Sequence, residues 1–359
     1  MSAHEILIAV MAVFAAIGAL DRIFGGRLGL GKPFEDGILA MGTLALAMLG
    51  IISLAPVLAN LLNPIVVPVY RFLGADPAMF AGTILACDMG GGALAQQMSS
   101  DPDAALLGGV LCGSMLGATI VFTIPVAMGI LKKEDHPAMA KGILAGIVTI
   151  PVGLLVGGLV AGFPFLMVLR NLIPIVIIGG LIVLGLIFAE KGMIKGFHIF
   201  GKGVVALITL GLGAAIVEEL TGFVIIPGMA PLSDGFATVG AIAIVLAGAF
   251  PLVHVITKLF RKPLMKLGSK LGVNDVAAGG LIATLANSIA TFERVKDMDE
   301  RGKVVNVAFA VSAAFVFGDH MGFTAGFAPT MLPAMIVGKL AGGVTAVTVA
   351  MLLTRKKQH

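Results

Sequence analysis

The chain has 359 residues, of which 58% are hydrophobic and only 12% charged, with a formal net charge of +4 and a mean hydropathy of +1.07. Soluble domains run near 45–50% apolar with about 25% charged residues, so no soluble core could hide this much apolar surface. The basic residues sit in short stretches between apolar runs, which the positive-inside rule explains and which leaves nucleic acid out as a partner.

Apolar runs long enough for about 30 Å of hydrocarbon recur along the chain, and membrane-embedded backbone of this kind must be helical. The first, 6–20, has no Lys or Arg before it and no small-x-small cleavage site after it, so it reads as a membrane helix and not as a signal peptide. The next stretch contains Gly26-Arg27-Leu28-Gly29-Leu30-Gly31-Lys32, close to a phosphate loop. Pro33 stands where a Ser or Thr would hold magnesium, and no soluble strand precedes it, so an ATP-driven pump is a chance match. Further runs follow at 38–62, 104–131, 142–162, 172–189, 204–220 and 236–259. The 49 glycines and 17 prolines suit close helix packing and helix breaks around a cavity, which favours a transporter over an anchor. Cys87 and Cys112 lie inside apolar segments and read as packing residues, with no disulfide.

Lys and Arg concentrate at 22–32, 132–141, 191–202, 258–270, 294–303 and 355–357, which are expected to be cytoplasmic loops. The stretches 63–76, 99–103, 162–164 and 222–235 are expected outside, as is the N-terminus, with the C-terminus cytoplasmic. Parity then forbids a full crossing for 77–98 and for 276–291. Both read as re-entrant hairpins entering from opposite faces, one interrupted by Asp88-Met89-Gly90-Gly91-Gly92 and the other by Ala286-Asn287-Ser288. The expected fold is therefore about nine full transmembrane helices plus two re-entrant hairpins, about 11 membrane segments. Leu73-Gly74 with Asp76 and Gly82 parallels Leu271-Gly272 with Asn274 and Gly280, Ser114 parallels Ser312, and 145–149 parallels 341–345. These matches predict inverted repeats over approximately 63–162 and 261–353 within a single domain, 1–359, with a site near their interface.

Charged groups in hydrocarbon are functional suspects by default. Three polar clusters qualify: Cys87-Asp88-Met89-Gly90-Gly91, Thr284-Leu285-Ala286-Asn287-Ser288 and Phe317-Gly318-Asp319-His320. Together with Met41-Gly42-Thr43-Leu44-Ala45-Leu46-Ala47-Met48, Leu144-Ala145-Gly146-Ile147-Val148-Thr149-Ile150-Pro151 and Ala310-Val311-Ser312-Ala313-Ala314-Phe315, they make the chain resemble the ethanolamine permease family of bacterial ethanolamine-utilisation operons over nearly its whole length. The resemblance implies a multi-pass protein of the bacterial inner membrane, surrounded by lipid, that carries ethanolamine in its protonated form and has no catalytic activity and no cofactor or metal. The short C-terminus, ending at His359, and the stretch 92–97 depart from some relatives, which touches selectivity more than class. Self-association into a homo-oligomer is left open.

The residues fit a small amino alcohol, whose ammonium offers three donors and whose hydroxyl both donates and accepts. Asp88 or Asp319 is expected to balance the ammonium, while Asn287, with Ser114, Thr119 or Ser288, hydrogen-bonds the remainder. His320 is a proton relay or, on the more ordinary reading, a structural histidine. The ordinary readings of Asp88 and Asn287 are N-caps of the second half-helices of their hairpins. Lys339, deep in the last apolar run, is expected to pair with an intramembrane carboxylate. With no Trp and one tyrosine, Tyr70, an aromatic cage is not expected, although Phe122 or Phe315 fits a site lining.

Two rival classes stand beside this one. An intramembrane aspartyl protease needs Gly-x-Gly-Asp, and Val316 occupies its first glycine position. A sodium- or proton-coupled carrier of another solute, such as a nucleoside, shares the scaffold of opposed hairpins, and scaffold alone does not fix a substrate.

Overall fold

The protein's structure, a computed structural model, describes residues 1–355, apart from the side chains of residues 260–262, 264 and 267–269. The cytoplasmic placement expected of Arg261, Lys262, Lys356 and Lys357 lies outside the described residues. Among the described residues there is no strand, and the chain is helical almost throughout.

Helix α1 spans Ala3–Ile23 and starts with a capping box, the Ser2 hydroxyl accepting from the Glu5 amide and the Glu5 carboxylate accepting from the Ser2 amide. Helix α2 spans Gly31–Phe72, longer than any bilayer requires. Two short helices follow, α3 at Ala78–Ile84 and α4 at Gly91–Met98. The run Pro102–Ile130, here α5, is π-wound over Leu107–Gly117 and Thr119–Thr123. Helices α6 (His136–Ile147) and α7 (Ile150–Val160) lead to α8, Phe165–Thr221, and α9, Leu232–Lys270. Then come α10 (Asp275–Ala286), α11 (Ser288–Phe292), α12 (Glu300–Ala313), α13 (Asp319–Phe327) and α14 (Leu332–Leu353).

Seven of these helical runs are long and apolar enough to cross a membrane, which makes the protein a polytopic, multi-pass membrane protein. Helix α8, with 57 residues, would reach about 85 Å if straight. It is broken at Ala189 (φ −143°, ψ 42°), where a Cβ on Gly185 would meet the Met193 side chain, so the chain bends sharply there. The sequence places a loop at 191–202 and another at 258–270. The structure instead continues helix through both, carrying the glycines of 191–202 and Pro263 inside the helices.

Close backbone approach holds the interior together. A Cβ on Gly82 would stand 1.8 Å from the Gly108 carbonyl oxygen, and one on Gly117 would stand 2.0 Å from that of Leu85. The hairpin α3–α4 is thereby seated directly on α5. Several of the basic stretches are tied down by local contacts. Arg22 pairs with Glu35 at 3.3 Å, Lys303 with Asp135 at 2.7 Å, and the Arg301 guanidinium donates to the carbonyls of Leu271 and Thr354. In the stretches expected outside, the Asp76 amide donates to Asn171 Oδ1 at 2.7 Å and the Ala230 amide to the Ser53 carbonyl at 2.8 Å.

Candidate substrate cavity

The first broken element is the turn Cys87–Met89 between α3 and α4. Gly90 closes it with φ +89°, and a Cβ there would stand 2.0 Å from the Ile51 side chain, so both conformation and space call for glycine. The amides of Met89 and Gly91 both donate to the Ala86 carbonyl. Asp88 projects from this turn, caps no helix, and is 16% exposed through its side chain.

A second break lies between α12 and α13, at 314–318. Phe315 takes φ +61°. Its amide donates to the Thr284 carbonyl at 3.1 Å, and the Phe317 amide donates to the Leu285 carbonyl at 2.8 Å. The free carbonyls at the end of α10 thus satisfy the free amides of the second break, and each interruption completes the other. Gly318 sits so close to the Ala286 carbonyl that a Cβ would come within 2.2 Å.

This arrangement delivers Asp319 and His320, at the start of α13, to the turn that carries Asp88. His320 Nε2 lies 3.8 Å from Asp88 Oδ1, and His320 is almost fully buried. Asp88, Asp319 and His320 line one cavity of about 490 Å³. The Phe122 and Phe315 rings, edge to face at 5.4 Å between centroids, form an apolar wall, and Phe315 also packs on the His320 ring at 5.3 Å. Two carboxylates beside aromatic faces suit a small organic cation with an apolar backbone.

The other expected ligands are placed differently. Asn287 does not border this cavity. It is exposed, caps α11 by accepting from the Ile289 amide at 2.8 Å, and lines a separate cavity of about 670 Å³ that Asp319 also borders. Ser114 donates to the Leu111 carbonyl and Thr119 to the carbonyls of Met115 and Val311, so both hydroxyls are occupied by backbone within α5 and across to α12. Ser288 is fully buried and borders neither cavity. Lys339, expected to pair with a carboxylate, donates to the Ser114 carbonyl, and no carboxylate lies within ion-pair distance of it among the described residues. Sequence reasoning missed His198 and Lys202, which line the first cavity, because the stretch carrying them reads as a loop and is helix.

Cys87, Asp88 and His320 offer three ligand atoms within 4.8 Å of one another. A metal-bound imidazole normally passes its second N–H to an acceptor, and His320 Nδ1 has no hydrogen-bond partner among the described residues. The cluster lacks the outer shell a resident metal would need, whereas an ammonium requires only the carboxylates.

Long apolar helices, with breaks at Cys87–Met89 and 314–318 beside a cavity that Asp88 and Asp319 line, define the class: a multi-pass membrane protein that is all-helical among the described residues. The family model described as "Ethanolamine utilisation protein, EutH" matches residues 3–353. A protein of Listeria monocytogenes named "Probable ethanolamine permease EutH" is 62% identical over 356 residues, covering 99% of this chain and 95% of that one. One of Escherichia coli with the same name is 49% identical over 395 residues, covering 99% and 97%, and the "Uncharacterized protein YxeR" of Bacillus subtilis is 52% identical over 354 residues, covering 99% and 96%. No solved structure matches. The chain belongs to the EutH family.

Proposed function

We propose that this chain is an ethanolamine permease of the bacterial inner membrane, which admits the protonated amine by facilitated transport and leaves it chemically unchanged. The observation that carries the reading is the convergence of Asp88 and Asp319 on one cavity beside Phe122 and Phe315. The carboxylates accept from the ammonium, the rings cover the two methylene groups, and His320 faces the hydroxyl end.

The finer architecture belongs to the same proposal. Helices α3 and α4 have 7 and 8 residues and α11 has 5, lengths of about 8–12 Å that cannot cross the hydrocarbon. We read α3–α4 and α10–α11 as re-entrant hairpins. Counting α8 as two spans and α12–α13 as one broken span gives nine crossings. Gly74 and Gly272 both take left-handed φ, +71° and +66°, and each is followed two residues on by an Asx side chain that accepts from an amide in the first turn of the next helix, Asp76 from Ala78 and Asn274 from Ala277. That likeness supports inverted repeats over approximately 63–162 and 261–353. With the basic stretches facing the cytoplasm by the positive-inside rule, the N-terminus lies outside.

Uptake of radiolabelled ethanolamine by proteoliposomes, chased with unlabelled ethanolamine or with uridine, tests the substrate. Uptake displaced only by ethanolamine is expected. A folded protein that takes up no ethanolamine would move transport of another solute to first place.

A further inference from the structure

Lys339 is a buried ionisable group that lines neither cavity. It lies mid-way along α14, is 0% exposed, and donates to the Ser114 carbonyl in the π-wound part of α5. The neighbouring residue of α5, Gly113, abuts the Asp88 turn: a Cβ on it would stand 3.0 Å from the Cys87 nitrogen. One turn along α14, a Cβ on Gly342 would stand 2.8 Å from the hydroxyl of Ser312, which is fully buried and has no hydrogen-bond partner among the described residues. The ammonium of Lys339 is therefore held by a main-chain carbonyl of the π-wound helix, behind the turn that presents Asp88. Such oxygens, exposed by broken or irregular helices, are what carriers use to coordinate sodium.

Charge balance gives the placement a consequence. The cavity holds two carboxylates, Asp88 and Asp319; the lysine on its lining, Lys202, is exposed, whereas Lys339 lies behind the Asp88 turn and not on the lining. With the Lys339 charge buried behind the Asp88 turn, one more positive charge balances the two carboxylates, and one ammonium substrate supplies it. Without Lys339, two cations would be needed.

We propose that Lys339 is a tethered substitute for a coupling cation, a positioning residue that lets the chain carry an ammonium substrate without sodium. The inference rests on the transport reading above. The test is ethanolamine uptake into proteoliposomes with potassium equal on both sides and sodium either present or absent, for wild type, Lys339→Arg and Lys339→Met, each checked for folding by thermal melting. Wild type and Lys339→Arg are expected to transport equally well in both media. Lys339→Met is expected to lose uptake in sodium-free medium and to recover it when sodium is added, a response that a purely structural lysine would not produce. Sodium-dependent uptake by wild type overturns the proposal whether or not the variants fold. So does a folded Lys339→Met that matches wild type without sodium, or one that stays inactive with sodium. Absence of all ethanolamine uptake by wild type overturns the substrate reading instead, so the two failures are distinguishable.

Discussion

Replacing Asp88 with Asn removes one negative charge from the cavity and almost nothing else. The side chain caps no helix, its nearest described partners are His320 Nε2 at 3.8 Å and the Cys87 thiol at 4.0 Å, and asparagine keeps its shape. The magnitude depends on how far water screens the site. A hydrogen bond to a charged partner contributes about 1.5–3 kcal/mol, whereas an exposed ion pair contributes about 0–1 kcal/mol. With only 16% of the Asp88 side chain exposed, beside two phenylalanine rings, the first range applies. At 1.4 kcal/mol per factor of ten, the KM for ethanolamine should rise about 10–150-fold. Initial uptake rates over a range of ethanolamine concentrations, on protein whose melting temperature matches wild type, measure it. A KM within about twofold of wild type would refute the assignment of Asp88 to the ammonium, because no buried charge-assisted contact is that weak.

Three further outcomes follow from the same geometry. Gly82→Ala places a methyl group 1.8 Å from the Gly108 carbonyl oxygen and should lower the melting temperature sharply, while Gly129→Ala, with nothing within 4 Å, should not; fluorescence-detected melting in detergent compares them. Asn287→Ala removes the cap of α11 and should cost about 1 kcal/mol of stability with little change in KM, and Asn287→Ser should restore most of it; a large KM change with unchanged melting would return Asn287 to the substrate. Burial pushes the Asp76 carboxyl, in the loop before α3, above its ordinary value. A raised folded pKa means that stability is lost as pH rises from the unfolded value of 3.8 through the folded one. Asp76→Asn can still accept from the Ala78 amide. It should therefore gain on wild type across that window and stay ahead above it, read as the difference between the two melting curves against pH.

Much was legible in the chain itself. The membrane class follows from composition, since hydropathy is a property of residues and needs no partner. The break at Asp88-Met89-Gly90 was legible because a left-handed backbone at Gly90 is a local demand that only glycine meets cheaply. Asp88, Asp319 and His320 were visible as suspects because charge in an apolar run is costly wherever the fold carries it. The second break was hidden. Ala314-Phe315-Val316-Phe317 has no helix breaker, and Phe315 holds its left-handed φ because the Thr284 and Leu285 carbonyls, on another helix, take the amides of 315 and 317. Likewise, residue type alone could not separate Asp88 from Asn287 or send Lys339 to a carbonyl in place of a carboxylate. Which polar groups share a cavity is decided by how broken helices cross, and that depends on contacts between segments far apart in the chain; sequence names the candidates, and only the tertiary structure pairs them.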